Sequence, residues 1–226
     1  MTFNKEEINV LKNFSKINDQ CTIYSDRIES ISEMLDCLGV YEFAESKECD
    51  ELQVYSLKQL LKVLKVDLEV TVDDGFISVG NDKFKTLNLN VERNINPRII
   101  ETYDNETIIP QEDFISLVKL IKENVQEVDS YNIKNKKKED FERRLYNNLE
   151  LNYDNKTNEE TLNFKDLVIK LPVINEAENF YFVTNKVNLL MYVYNKMNSD
   201  LRLYCNGRDG YFKITINESL SYYFVR

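Results

Sequence analysis

Histidine is absent from the 226-residue chain, and with it go the Ser-His and Cys-His pairs, the H-E-x-x-H zinc site and the imidazole proton shuttle. Carboxylate, lysine or metal-carboxylate chemistry stays open, yet no pair of acids converges in the sequence, so no catalytic residue, metal ligand or cofactor is expected. Glycine is scarce, at five residues, and neither G-x-x-x-x-G-K-[ST] nor G-x-G-x-x-G occurs, which leaves a nucleotide site without support. The four cysteines, Cys21, Cys37, Cys49 and Cys205, show no C-x-x-C spacing and read as reduced, partly buried thiols. No apolar run reaches the length of about 18 residues that a spanning helix needs. The start MTFNKEEINV lacks the basic-then-apolar pattern of a secretory signal. A cytoplasmic protein without a membrane partner is therefore expected, in which the N-x-[ST] triplets at Asn105, Asn155 and Asn217 have no meaning as glycosylation acceptors. The last expected strand ends at Arg226, and no tail is expected beyond it.

What the chain does contain is one structural sentence written twice. The segment LQVYSLKQLLKVLKVDLEVTVDDGFISVGNDKFKTLNLNV, from Leu52 to Val91, predicts strand, helix, strand, turn and strand. The same order recurs from Phe180 to Arg226, with Val54 matching Val183, Leu60 matching Leu189, Asp67-Leu68 matching Asp200-Leu201 and Gly75-Phe76 matching Gly210-Tyr211. Another amphipathic helix precedes each copy, near residues 5–17 and 111–125. Two similar α+β domains in tandem follow, over residues 1–106 and 107–226, each with two helices on an antiparallel sheet. Such duplication points toward assembly more than catalysis. Asp73-Asp74-Gly75 could hold a cation, but D-G between alternating strands is first a hairpin turn, because glycine accepts positive φ.

The four helices are expected to carry the functional pattern. In KEEINVLKNFSKIN, a rotation of 100° per residue puts Val10, Phe14 and Ile17 on one side and Lys5, Lys12 and Lys16 on the other. In SLKQLLKVLKV, Leu57, Leu60, Leu61 and Leu64 form the core face, while Lys58, Lys62 and Lys65 point outward with no acid among them. The third, QEDFISLVKLIKENVQ, is expected to bury Phe114, Leu117, Val118, Ile121 and Val125 and to expose Lys119, Lys122 and Glu123; its Glu112 and Asp113 suit the first turn. In the fourth, TNKVNLLMYVYNKMN, burial of Val187, Leu190, Met191 and Tyr194 leaves Lys186 and Lys196 outside, together with Leu189 and Tyr192, which makes it the weakest member. These segments hold ten lysines against five acids, a balance of +5, whereas the whole chain carries −10; the remainder therefore carries −15. In any single helix such lysines could simply solvate the outer face. Four basic helices in an acidic protein instead describe a positive surface on a body that repels polyanions elsewhere.

In order, spacing and apolar pattern, VLKNFSKIN, DELQVYSLKQLLKVLKV, DDGFISVGNDKFKTLNLNV, PQEDFISLVKLI and LRLYCNGRDGYFKITINESLSYYFV resemble the DNA polymerase sliding clamp of T-even-type bacteriophages, a member of the DNA clamp family. The segment from Val128 to Asn179, with its basic run Lys134 to Lys138 and the pair Arg143-Arg144, departs from that pattern. The resemblance implies a homotrimer of two-domain protomers closing head to tail around duplex DNA. Its inner wall would be helical and its sheets outermost, continuing across protomer boundaries. Lys5, Lys12, Lys16, Lys58, Lys62, Lys65, Lys119, Lys122, Lys186 and Lys196 would then face the phosphates without reading sequence. It also implies an ATP-driven clamp loader, a replicative polymerase whose C-terminal peptide docks in an apolar pocket, and late-transcription factors as further partners, all in the host cytoplasm if the chain is phage-encoded. Candidates for that pocket are Ile99, Ile100, Tyr103, Ile108 and Ile109 of the expected domain connector, and Tyr222 and Phe224 of the last strand; core and linker packing is their other reading. The Lys134 to Lys138 run reads as a solvated loop or as a DNA or partner contact.

Two other classes stay in view. An acidic interaction protein, such as a DNA mimic that inhibits a nucleic-acid enzyme, would display carboxylates in rows and ignore DNA. A carboxylate-based enzyme would gather acids in a cleft.

Overall fold

The computed structural model describes residues 1–49, 51–73, 76–85, 103, 105–132, 148–173, 179–184, 187–194, 199–206 and 211–225. The chain divides into two compact units, the first made of Met1–Pro97 with Glu218–Tyr222, the second of Arg98–Asn217 with Tyr223–Arg226.

In the first unit, helix α1 (Lys5–Ile17) begins on a reciprocal cap. The Glu7 amide donates to Asn4 Oδ1 at 2.9 Å and the Asn4 amide donates to Glu7 Oε2 at 2.8 Å, so two of the orphan donors of the first turn are satisfied. Strands β1 (Cys21–Ile23), β2 (Arg27–Ile31), β3 (Cys37–Glu42) and β4 (Leu52–Val54) form an antiparallel sheet in the order β4-β1-β2-β3. Its registers include Cys21 opposite Val54 and Ser30 opposite Gly39. Helix α2 (Leu57–Val63) follows, and then the meander β5 (Val70–Asp73), β6 (Phe76–Val79) and β7 (Asp82–Lys85). Asp73 pairs with Phe76 across the expected D-G turn, whose Asp74 and Gly75 lie outside the described residues. Gly80, at φ +59°, turns the next hairpin where a side chain would be strained.

The core of this unit is the contact of α1 with the sheet. Val10, Leu11 and Phe14 are fully buried, and α1 lies on β2 and β3. A Cβ on Gly39 would stand 2.7 Å from Phe14 Cε1 and 2.9 Å from Ile17 Cδ1, so the helix seats where β3 has no side chain. Two buried polar residues accompany it. Asn13 Nδ2 donates to the Tyr222 hydroxyl at 2.7 Å, while the Phe14 and Tyr222 rings meet edge-on at 6.1 Å. Glu7 receives Lys47 Nζ at 2.7 Å.

The second unit repeats the plan: β8 (Asn105–Ile109), α3 (Gln111–Asn132), β9 (Leu149–Asp154), β10 (Glu159–Phe164) and β11 (Leu167–Leu171), then β12 (Phe180–Thr184), a 3-10 segment at Val187–Tyr192, β13 (Leu201–Asn206), β14 (Tyr211–Ile216) and β15 (Leu220–Val225). One antiparallel sheet has the order β11-β10-β9-β12, matching β3-β2-β1-β4, and the other runs β8-β13-β14 before the Tyr223–Val225 part of β15. The earlier part of β15 belongs to the first unit, where the Glu42 amide donates to the Ser219 carbonyl at 2.8 Å. Phe182, Phe212 and Phe224 stack through the core of the second unit, at 5.9 and 4.4 Å between centroids.

Several sequence expectations change here. The fourth helix is a 3-10 segment rather than an amphipathic α-helix: Leu189 and Val193 are buried as well as Val187 and Leu190, while Asn188 is exposed and Met191 and Tyr192 are half-buried, so burial does not follow the expected α-helical period. Helix α3 runs on to Asn132 and takes in Glu127 and Asp129. The expected connector contains strand β8, paired Ile109 to Leu201 and Asn105 to Cys205. The segment that departs from the clamp pattern holds the regular β9–β11 meander, while Lys134 to Lys138 and Arg143-Arg144 lie outside the described residues. None of the four cysteines is in a disulfide; burial pushes the Cys21 thiol up to about 12, with Asp19 adding to the shift.

Glu160 on β10 is buried and accepts from Asn105 Nδ2 at 2.8 Å. Burial raises its carboxyl above the ordinary 4.5, and the Asn105 bond opposes that only in part. The folded state therefore binds this proton more tightly than the unfolded chain. Its contribution to stability grows as pH falls through the raised value and is complete below 4.5. Glu160→Gln is expected to raise the melting temperature at neutral pH and to flatten that gain on acidification, as read by calorimetry across pH. For the first unit, Gly39→Ala is expected to cost about 1–3 kcal/mol in denaturant unfolding, through overpacking against Phe14 and Ile17.

Candidate nucleic-acid interface

Helices α1 and α2 lie against each other in the first unit, and one aspartate sets where the second begins. Asp19 Oδ1 accepts from the Lys58 amide at 2.7 Å, its Oδ2 accepts from Ser56 Oγ at 2.9 Å, and its carbonyl accepts from the Leu57 amide at 2.7 Å. That carboxylate answers the exposed donors of the first turn of α2, where the helix dipole favours it. In the second unit an aspartate also meets a helix start, but a different one: Asp200, the counterpart of Asp67, accepts from the Gln111 amide at the start of α3 at 3.2 Å. The caps fix the rotation of each helix about its axis. Leu57 and Leu60 of α2 and Phe114, Leu117 and Ile121 of α3 then point inward.

The opposite faces carry the lysines. Lys5, Lys12 and Lys16 on α1, Lys58 and Lys62 on α2, Lys65 in the turn after it, and Lys119 and Lys122 on α3 are all exposed. Among the described residues none of these eight ammonium groups has an ion-pair partner. The cations that are paired lie elsewhere: Arg27 with Asp26 and Glu29, Lys47 with Glu7, Lys170 with Glu159 and Arg202 with Glu106. Lys186 and Lys196 lie outside the described residues.

The expected apolar pocket is distributed differently. Ile109, Tyr222 and Phe224 are 0–1% exposed and belong to the interiors of their units, which leaves them no surface to offer a peptide. Ile108 and Tyr103 are half-buried, and Ile99 and Ile100 lie outside the described residues. Tyr103 packs on Tyr204 at 5.0 Å, and the Lys213 ammonium lies 5.1–6.0 Å from the rings of Tyr103, Tyr204 and Tyr223. A cleft of ≈ 330 Å³ opens along β9 and β12, lined by Asn152, Asp154, Lys156, Asn179, Phe180 and Tyr181 among others, none of them an expected pocket residue. Sequence reasoning also missed the capping role of Asp19 and the burial of Glu7 and Asn13. An acid just past a helix end is a visible signal for the first, whereas polar residues on an apolar stripe show nothing until their partners are placed.

No family model matches the sequence, and no curated protein is similar to it. Solved structures are similar in fold. The Helicobacter pylori beta clamp bound to a DNA ligase peptide superposes with a TM-score of 0.66 at 12% identity, over 99% of this chain and 64% of that one. The DNA polymerase III subunit beta of Pseudomonas aeruginosa gives 0.64 at 14% identity, over 100% and 64%. The sliding clamp from the same organism bound to griselimycin gives 0.62 at 13%, over 100% and 63%. The chain thus has the DNA-clamp fold, α+β with antiparallel sheets, and spans about 64% of the length of those chains.

If the lysines serve a ligand rather than the fold, Lys12→Gln and Lys62→Gln should each leave unfolding free energy within about 0.5 kcal/mol. Lys47→Ala, which strips the partner from buried Glu7, should cost about 1–3 kcal/mol in the same denaturant titration.

Proposed function

We propose that the chain is a sliding clamp of the T-even phage type, which closes as a homotrimer around duplex DNA and tethers a replicative polymerase without chemistry of its own. The observation that carries this reading is the row of exposed, unpaired lysines on the helices of a clamp fold whose chain is otherwise acidic. Phosphates attract such a face at any sequence, and a closed ring needs no tight contact to stay on its track. Weak, mobile contacts are what sliding requires. A polymerase C-terminal peptide, an ATP-driven loader and late-transcription factors complete the set of partners this reading implies.

The two units also suggest how copies would join. In the first, the outer edge of β3 is covered by Leu220–Tyr222 of β15. Among the described residues its counterpart in the second, β11, ends its sheet, and β7, the counterpart of β15, ends the β5-β6-β7 sheet. Among the described residues the large hydrophobics exposed on strands are Val72 and Phe76 on one of these sheets and Val168 and Tyr181 on the other. Pairing β7 of one copy with β11 of the next would cover two open edges and bring these apolar faces side by side. Because the two edges differ, each copy keeps one of each kind for its neighbours, and a closed ring satisfies them all.

Light scattering is expected to give three protomers of 26.8 kDa each. Cysteines at Lys83 on β7 and Val168 on β11, in a Cys49→Ser background, should cross-link copies on oxidation. A stable monomer at micromolar concentration would exclude the ring. A carboxylate-rich DNA mimic would be monomeric or dimeric and indifferent to DNA.

A further inference from the structure

The two units differ in charge where a symmetric clamp wall would have them alike. Helices α1 and α2 hold five lysines against Glu6 and Glu7, and Glu7 is buried against Lys47. Lys65 follows α2 as a sixth exposed lysine. In the second unit the described charged side chains of α3 are two lysines, Lys119 and Lys122, against Glu112, Asp113 and Glu123, a balance of −1. The 3-10 segment in the position of α2 has no charged residue at all. The helical layer of one unit is therefore cationic and that of the other, among the described residues, neutral to acidic.

We infer that the helical grip on the duplex comes from Lys5, Lys12, Lys16, Lys58, Lys62 and Lys65 of the first unit, while α3 of the second unit acts as an uncharged or repelling spacer. This inference rests on the DNA-encircling reading. A polyanion beside α3 meets Glu123 next to Lys119 and Lys122, and the attraction of two ammonium groups is opposed within a Debye length by nearby carboxylates. Beside α1 and α2 it meets six ammonium groups with Glu6 as the exposed helical acid. Counterions would be released along α1 and α2 rather than along α3, and the salt dependence of binding would report the lysines of the first unit.

The test is lysine acetylation of the full chain at low salt, with and without a 40-base-pair duplex, read by mass spectrometry alongside light scattering. The six lysines of the first unit should be protected about threefold or more, and Lys119 and Lys122 should react equally in both conditions. In parallel, the triple variant Lys12→Gln, Lys58→Gln, Lys62→Gln should lower the slope of log affinity against log salt by about 0.9 for each phosphate contact removed. The pair Lys119→Gln, Lys122→Gln should leave that slope unchanged. Equal protection of Lys119 and Lys122, a matching loss of slope in the second pair, or no protection anywhere overturns the inference. A mass of one protomer with protection confined to the first unit removes the ring and leaves this polarity standing. A mass of three with protection spread evenly does the reverse.

Discussion

Everything about the cationic face depends on how α1 is seated. Phe14 and Ile17 reach β3 at Gly39, within 3 Å of where any Cβ would be. That contact admits a single depth and rotation for the helix, and the reciprocal cap at Asn4 and Glu7 fixes its starting turn. With the apolar stripe pinned inward, Lys5, Lys12 and Lys16 have nowhere to go but outward. Helix α2 inherits its position from α1 through Asp19, which ends one helix region and caps the next. Two helices and their lysines are thus oriented by a few buried groups, none of which touches a ligand.

Sequence pattern reached the elements whose two sides differ. The bounds of α1 follow from its period and its cap residues, and α2 from its leucines, because both have one buried and one solvated side. The repeat of strand, helix and hairpin is visible for the same reason, and the hairpin at Asp73-Asp74-Gly75 announces itself by turn chemistry. Where both sides are buried, pattern fails. Leu189 and Val193 pack inward along with Leu190, against the expected period, and the chain there is a 3-10 turn with Asn188 exposed. Strand β8 was hidden in an apparent linker because its partner, β13, lies about ninety residues further on in sequence. Ile109, Tyr222 and Phe224 look like pocket walls in sequence, yet sheet pairing turns them into the core.

Charge was legible in total, and its distribution along the helices in part. Four basic segments were expected; α3 continues past its expected end to Asn132, taking in Glu127 and Asp129, while Lys186 and Lys196 lie outside the described residues. Helix length is decided by what packs along it, and local propensity cannot see that. The outcome is a fold with internal repetition in its backbone and a clear difference in its electrostatics. A duplicated scaffold can diverge in surface charge while its core positions stay constrained, since exposed substitutions change stability little.

The division of β15 gives the protein a timetable. Leu220–Tyr222 complete the first unit, where the Tyr222 hydroxyl meets Asn13 across 209 residues of intervening chain. During synthesis residues 1–97 emerge first, yet their unit lacks this strand until Tyr222 has left the ribosome. An open edge at β3 must wait, and contacts between such distant positions form slowly. The nascent chain therefore acquires both units together, and a ribosome stalled before Leu220 would release a product with neither sheet whole.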